Sequence, residues 1–331
     1  MMFEARSVRF TLPLGATLIP VRNTNFARRA RLPHFLLFTT LIALLLTLSA
    51  TAGARQKAKP GTGKAASQPS PAPVLQLKRT TTRHEVRRLG YGGMLTIYGA
   101  PEGSITIEAW PKGEVEITAD IELSADTEED LSRLASVNSF LLDEDINHLR
   151  IITTGTHDRA YMKRVARDFP KKLLTMPWKI NYRIRVPALF DLEIYAGRGA
   201  LSLDGVEGAI RINAGESATS LTLSGGDVEA TIERGTVALR VPTRNWRGRG
   251  LSLRLASGDL SVELPANFSG DLNAEVLRTG RVENAYAGLT PRERTQATER
   301  SLHGRAGEGG ATLSFTVGDG TLRILQATGK Q

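Results

Sequence analysis

A short unit recurs through the second half of this chain and restricts its folding more than any other feature: a glycine, one further residue, then apolar–polar–apolar. It reads Gly199-Ala-Leu-Ser-Leu203, Gly208-Ala-Ile-Arg-Ile212, Gly226-Asp-Val-Glu-Ala230, Gly235-Thr-Val-Ala-Leu239, Gly250-Leu-Ser-Leu253, Gly258-Asp-Leu-Ser-Val262, Gly270-Asp-Leu-Asn-Ala274 and Gly280-Arg-Val-Glu283, with a weaker copy at Gly320-Thr-Leu-Arg-Ile324. Side chains alternate sides along a strand. One face therefore gathers Leu201, Leu203, Ile210, Ile212, Val228, Val237, Leu239, Leu253, Leu260 and Val262, and the other Ser202, Arg211, Glu229, Arg240, Ser252 and Ser261. Strands this short bury an apolar face best when copies stack on one another. The glycines stand 9 residues apart at 199/208 and 226/235, 8 at 250/258 and 10 at 270/280. Alternate members thus repeat about every twenty residues, the length of two strands and two corners. The spacing predicts a mostly β chain, a β-solenoid (β-helix-like) of short stacked strands over residues 191–325. A sandwich or barrel also shows short alternating strands; the glycine before each strand favours stacking, because glycine takes a positive φ without a Cβ clash.

Upstream, the pattern divides the chain further. Phe35 to Ala50 carries no charge, Arg28, Arg29 and Arg31 precede it, and Ala52-Gly53-Ala54 follows. Basic flank, apolar run and small-residue site read as a secretory signal over residues 1–54. An uncleaved anchor is the alternative, since the run is slightly short of the roughly 20 residues a spanning helix needs. Residues 55–73 form a Pro/Gly/Ser-rich linker expected to be disordered. Residues 74–190 form an N-terminal β region, with alternating runs at Met94–Tyr98, Ser104–Glu108 and Val115–Leu123. One helix is expected near 127–141: Asp126 with Glu129 makes a capping box, and Leu131, Leu134, Val137 and Leu141 share a face. Residues 156–179 do not alternate and read as a basic insertion. Residues 326–331 are a tail.

Charge and cysteine content narrow the function classes. Six of the 43 basic residues and one of the 34 acids fall in residues 1–54, so the formal +9 drops to +4 for the remainder. A mildly basic body is not a nucleic-acid signature. Without cysteine an exported chain has no disulfides and no thiolate metal site. Gly215-Glu-Ser-Ala218 lacks the last glycine of a nucleophile elbow. Gly197-Arg-Gly199 lacks the third glycine of a dinucleotide loop. No phosphate-binding loop is present. His34, His84, His148, His157 and His303 form no helical ligand pair. Asp227, Glu229, Asp259 and Glu263 occupy equivalent repeat positions and could stack as the carboxylates of a glycan-cleaving β-helix enzyme do; a solvated outer face is the plainer reading. Calcium at Asp227, Asp259 and Asp319 lacks its nonapeptide repeat. No enzyme motif and no cofactor site is read.

Several segments together resemble the bacterial "putative adhesin" family: Tyr182-Arg-Ile-Arg-Val-Pro187, Asp191-Leu-Glu-Ile-Tyr195, Ser257-Gly-Asp-Leu-Ser-Val262 and Gly309-Gly-Ala-Thr-Leu-Ser-Phe-Thr-Val-Gly-Asp-Gly-Thr-Leu-Arg-Ile324. The resemblance covers about 180–325. It implies an exported or membrane-tethered envelope protein, and it carries no catalytic residue over.

Two basic–aromatic stretches stand out as candidate binding residues. The first holds Arg159, Lys163, Arg164, Arg167, Lys171, Lys172 and Trp178, with Tyr161 and Phe169 interleaved; the second holds Arg244, Trp246, Arg247 and Arg249. Cations beside aromatics suit an anionic surface; a solvated insertion whose rings pack back on the sheet is the alternative. The sequence thus points to a non-enzymatic adhesin or scaffold, periplasmic or at the cell surface. Its candidate partners are an anionic envelope glycan, lipid head groups or another envelope protein. The other readings are a carbohydrate-active enzyme and an anchored envelope regulator.

Overall fold

In the computed structural model, residues 76–89, 92–291 and 298–327 are described here. The signal or anchor, the linker and most of the tail lie outside them. The elements in chain order are β1 (Leu77–Arg88), β2 (Met94–Tyr98), β3 (Ile105–Trp110), β4 (Glu114–Ala125), α1 (Glu128–Val137), β5 (Ser139–Glu144), β6 (His148–Thr154), α2 (Arg159–Val165), β7 (Trp178–Pro187), β8 (Asp191–Ala196), β9 (Gly199–Asp204) and β10 (Ala209–Thr222). There follow β11 (Gly225–Arg234), β12 (Val237–Arg240), β13 (Arg247–Ser257), β14 (Leu260–Leu264), β15 (Gly270–Asn284), β16 (Leu289–Pro291), β17 (Ser301–Ala306) and β18 (Thr312–Gln326).

The chain is mostly β, as the alternation predicts, but the β-solenoid is corrected. Six strands close into a parallel β-barrel. The N-terminal half of β10 pairs with β11 (Ile210↔Val228), β11 with β13 (Val228↔Leu251) and β13 with the first half of β18 (Leu251↔Leu313). The C-terminal half of β10 pairs with β12 (Leu221↔Leu239), β12 with β14 (Leu239↔Val262) and β14 with the second half of β18 (Leu260↔Leu322). The circuit β10–β11–β13–β18–β14–β12 therefore returns to β10. The cause lies in two long strands. β10 spans 14 residues and passes Gly215 without ending; β18 spans 15 and passes Gly318 and Gly320 in the same way. Reading each repeat as a separate short strand ends β10 after Ile212 and starts a new strand at Gly320, and so misses the closure.

Further strands lie outside the ring and continue both of its ladders. β8 and β9 pair with the two halves of β10, β2 and β3 with β8 and β9, and β15 with β18, all parallel. Antiparallel pairs complete the sheet at its margins: β1–β4, β4–β7, β5–β6, β15–β17 and β16–β17. One dry core runs through all of this. Leu203, Leu239 and Leu260, inward on β9, β12 and β14, are at most 1% exposed and belong to it together with Ile107, Ile184 and Phe315. Each such side chain contributes roughly 1.5–3 kcal/mol, an upper bound because unfolded chains are partly collapsed.

The N-terminal region departs from expectation in two places. α1 is shorter than the predicted 127–141, and Thr127, not Asp126, caps it: its Oγ1 accepts from the Asp130 amide at 3.1 Å. Leu141 then lies on β5, outward and 49% exposed. The second departure is α2, inside the stretch that gave no strand period.

Candidate functional site

The basic insertion is built on α2 and the 3-10 turn Lys171–Thr175, between β6 and β7. Local chemistry starts α2. Asp158 Oδ1 accepts from the amides of Ala160 and Tyr161 at 2.8 and 3.0 Å, satisfying donors that a helix start leaves open. Lys163 and Arg164 fall in its last turn, where the helix dipole favours cations. Pro170 precedes the 3-10 turn.

Four contacts hold the insertion to the body. Met162 and Leu173 are buried. The Thr156 amide donates to Asn138 Oδ1 at 2.9 Å, while Asn138 Nδ2 donates to Leu134 O at 3.1 Å at the end of α1. Lys172 Nζ donates to Asp130 Oδ2 at 2.6 Å. That bond is the main cause holding the Asp130 carboxyl below its ordinary range, against the opposing effect of burial. A carboxylate lowered by folding stabilises fully above the ordinary carboxylate pKa, near pH ~4, and loses that contribution as pH falls through the lowered value. The urea midpoint of Asp130→Asn should therefore lie below wild type at neutral pH, and the gap should close in strong acid. A gap of constant size would show that the pair has no such role.

The insertion encloses a cleft of about 970 Å³. Met162, Ala166, Phe169 and Leu174 make its apolar part, and Arg159, Lys163, Arg167 and Lys171 bring four cations to it. Arg164 stands on the same helix, exposed. Among the described residues none of these five cations has a carboxylate within ion-pair distance. Elsewhere arginines commonly sit against acids: Arg150 bridges Asp143 and Asp145, each at 2.8 Å, and Arg323 reaches Glu283 at 3.0 Å. Lys172 differs from its neighbours in being spent on Asp130. His157 also lines the cleft. Burial pushes its pKa down, against the pull of Asp158. Its imidazole lies 5.4 Å from the Trp178 ring, and Trp178 is half-buried beside the cleft instead of presenting an open face.

The second basic stretch is arranged differently. Trp246 is 6% exposed and belongs to the core, with Nε1 donating to Gly226 O at 3.0 Å. Its arginines meet acids: Arg247 pairs with Glu207, Arg249 reaches Asp227 at 3.5 Å and Arg244 reaches Glu308 at 3.8 Å. The structure thus gathers Arg159, Lys163, Arg167 and Lys171 into one site, with Arg164 beside them, and places Arg244, Trp246, Arg247 and Arg249 elsewhere with their charges matched. What sequence inspection missed is the aliphatic share of the cleft's apolar part: Met162, Ala166 and Leu174 follow no strand period, and seven residues of α2 give a weak helical one.

The repeat carboxylates do not form one stack. Asp227 and Glu229 lie on the β11 ladder, and Glu263 on the β14 ladder, where it lies opposite Arg240. Asp259 precedes β14, and its Oδ1 accepts from the Thr321 amide at 3.0 Å. Arg278 Nε donates to Asp319 at 2.9 Å, and this side chain is the main cause holding the Asp319 pKa at about 2, with Thr279 adding to it. Among the described residues no three His, Asp or Glu side chains gather as metal ligands would.

No family model and no curated protein matches the chain. Among solved structures, a putative cell adhesion protein from Clostridium sporogenes is 12% identical over 75% of this chain and 100% of its own, with a TM-score of 0.40. A putative adhesin from Bacteroides fragilis is 12% identical over 75% and 97%, with a TM-score of 0.24. A putative lipid binding protein from Parabacteroides distasonis is 11% identical over 74% and 96%, with a TM-score of 0.21. Likeness at this level carries no functional argument; the side chains of the cleft have to supply it.

Proposed function

We propose that this chain is a non-enzymatic binding protein of the exported envelope space, and that the α2 cleft is where it holds an anionic partner. A single observation carries the reading: Arg159, Lys163, Arg167 and Lys171 line one cleft, with no acid within ion-pair distance among the described residues, beside an apolar wall of Met162, Ala166, Phe169 and Leu174. Unmatched cations held close to one another repel, and an anion between them relieves the repulsion. A cleft of this size falls in the range of ordinary ligand sites.

The test compares two variants that lose the same net charge. In the first, Lys163, Arg167 and Lys171 become Gln; in the second, Arg244, Arg247 and Arg249 do. Retention on a sulfated polysaccharide matrix is measured as the salt needed for elution. The first variant should elute at clearly lower salt than wild type, with affinity reduced about fivefold for each charge removed. The second should elute near wild type, because its arginines are already neutralised by Glu207, Asp227 and Glu308. Equal shifts for both would mean that net charge alone governs retention and that the cleft is no site.

A further inference from the structure

Resting on the cleft as the binding site, the geometry points to a more specific partner: the surface of an anionic lipid bilayer, met by α2 and the following 3-10 turn together. Besides its unpaired cations, this segment exposes two aliphatic side chains. Val165 ends α2 at 51% exposure, and Leu174 in the 3-10 turn is 41% exposed. They are held outward by buried neighbours: Leu173 is fully buried, and Met162, one turn before Val165, is 6% exposed. A soluble anion gives such aliphatics nothing to bury against. A bilayer does, because its phosphates lie at the level of the cations and the acyl boundary lies just beneath. Exposed aliphatics on a segment that carries several unpaired cations match that layering in chemistry.

The aromatic side chains argue in the same direction. A glycan site of this kind would offer ring faces for sugars to lie against. Here Phe169 is half-buried in the cleft wall, and His157 lies against the ring of Trp178. The most exposed apolar side chains of the segment are thus aliphatic, Val165 and Leu174, while Tyr161, Phe169 and Trp178 are each half-buried. It has one acid besides the capping Asp158, namely Asp168.

Co-sedimentation with vesicles tests this. Wild-type protein should sediment with vesicles containing phosphatidylglycerol and stay in solution with pure phosphatidylcholine. The variant Val165→Ser lies outside the cleft lining and keeps every charge; it should lose about fivefold in vesicle affinity while its retention on the sulfated matrix stays at the wild-type level. Leu174→Trp should show a blue shift in fluorescence with the anionic vesicles only. Both aliphatic positions are solvent-exposed, so an unchanged circular dichroism spectrum and melting point will confirm folding. If Val165→Ser sediments like wild type, or if wild type ignores phosphatidylglycerol vesicles yet still binds the matrix, the bilayer inference is overturned and anion binding at the cleft stands. If the cation-to-Gln variant loses nothing in either assay, both readings fall.

Discussion

Gly258→Ala should cost on the order of 4 kcal/mol or more, enough to abolish folding of many domains of ordinary stability. Two effects coincide there. The residue has φ +135°, which a side chain rarely adopts, and an added Cβ would lie 1.8 Å from the carbonyl oxygen of Gly235. The obstacle is backbone at a corner, fixed by the bond from the Gly235 amide to Ser257 O at 3.1 Å, so it cannot swing aside as a side-chain tip does. Nor is the site isolated: a Cβ at Gly235 would meet Ser217 O at 2.0 Å, and one at Gly320 would meet Gly258 O at 1.8 Å. Successive chain passages lean on each other through these atoms, so relief at one level presses on the next. Gly92 supplies the control. It also has a positive φ, +74°, but nothing lies within 4 Å of its missing Cβ; Gly92→Ala should cost only about 1–2 kcal/mol. Urea midpoints of both variants decide the matter, and similar losses at the two positions would refute the packing argument.

Trp246→Ala should cost about 3–5 kcal/mol, as large-to-small changes in a core do. The ring belongs to the same dry interior as the strand leucines, and its Nε1 is the donor to Gly226 O. Trp246→Phe separates the two contributions: it keeps most of the volume and loses the bond, at about 1–2 kcal/mol. Replacing Arg244, Arg247 or Arg249 singly by Gln should change stability by less than about 1 kcal/mol, since exposed ion pairs contribute little. Should Trp246→Ala melt like wild type while an arginine variant collapses, the assignment of Trp246 to the core would be wrong.

These two sites also show what was legible in the amino-acid sequence. Inward alternation is a local property, and the aliphatics of β9, β12 and β14 obey it, so the β class and the core positions could be read directly. Closure is not local. It depends on β10 and β18 continuing past glycines that look like the corners elsewhere, and only their pairing partners reveal the difference. The charge patches divide for a similar reason. Arg247 meets Glu207 forty residues away and Arg249 meets Asp227 twenty-two away, so an arginine cluster that looks bare in sequence is matched in space. The α2 patch divides in the same way: Lys172 meets Asp130 forty-two residues away, while Arg159, Lys163, Arg167 and Lys171 line one cleft with no acid within ion-pair distance among the described residues.

Because β18 supplies the neighbour for both β13 and β14, two seams of the ring are zipped by one segment made after most of the others. Until that segment docks, a nascent molecule carries a slot open along both of its margins, and any copy of the same segment fits it. Two such molecules meeting before closure would each have what the other lacks. The concentration at which this chain matures therefore bears on whether it ends as separate rings or as an exchanged pair.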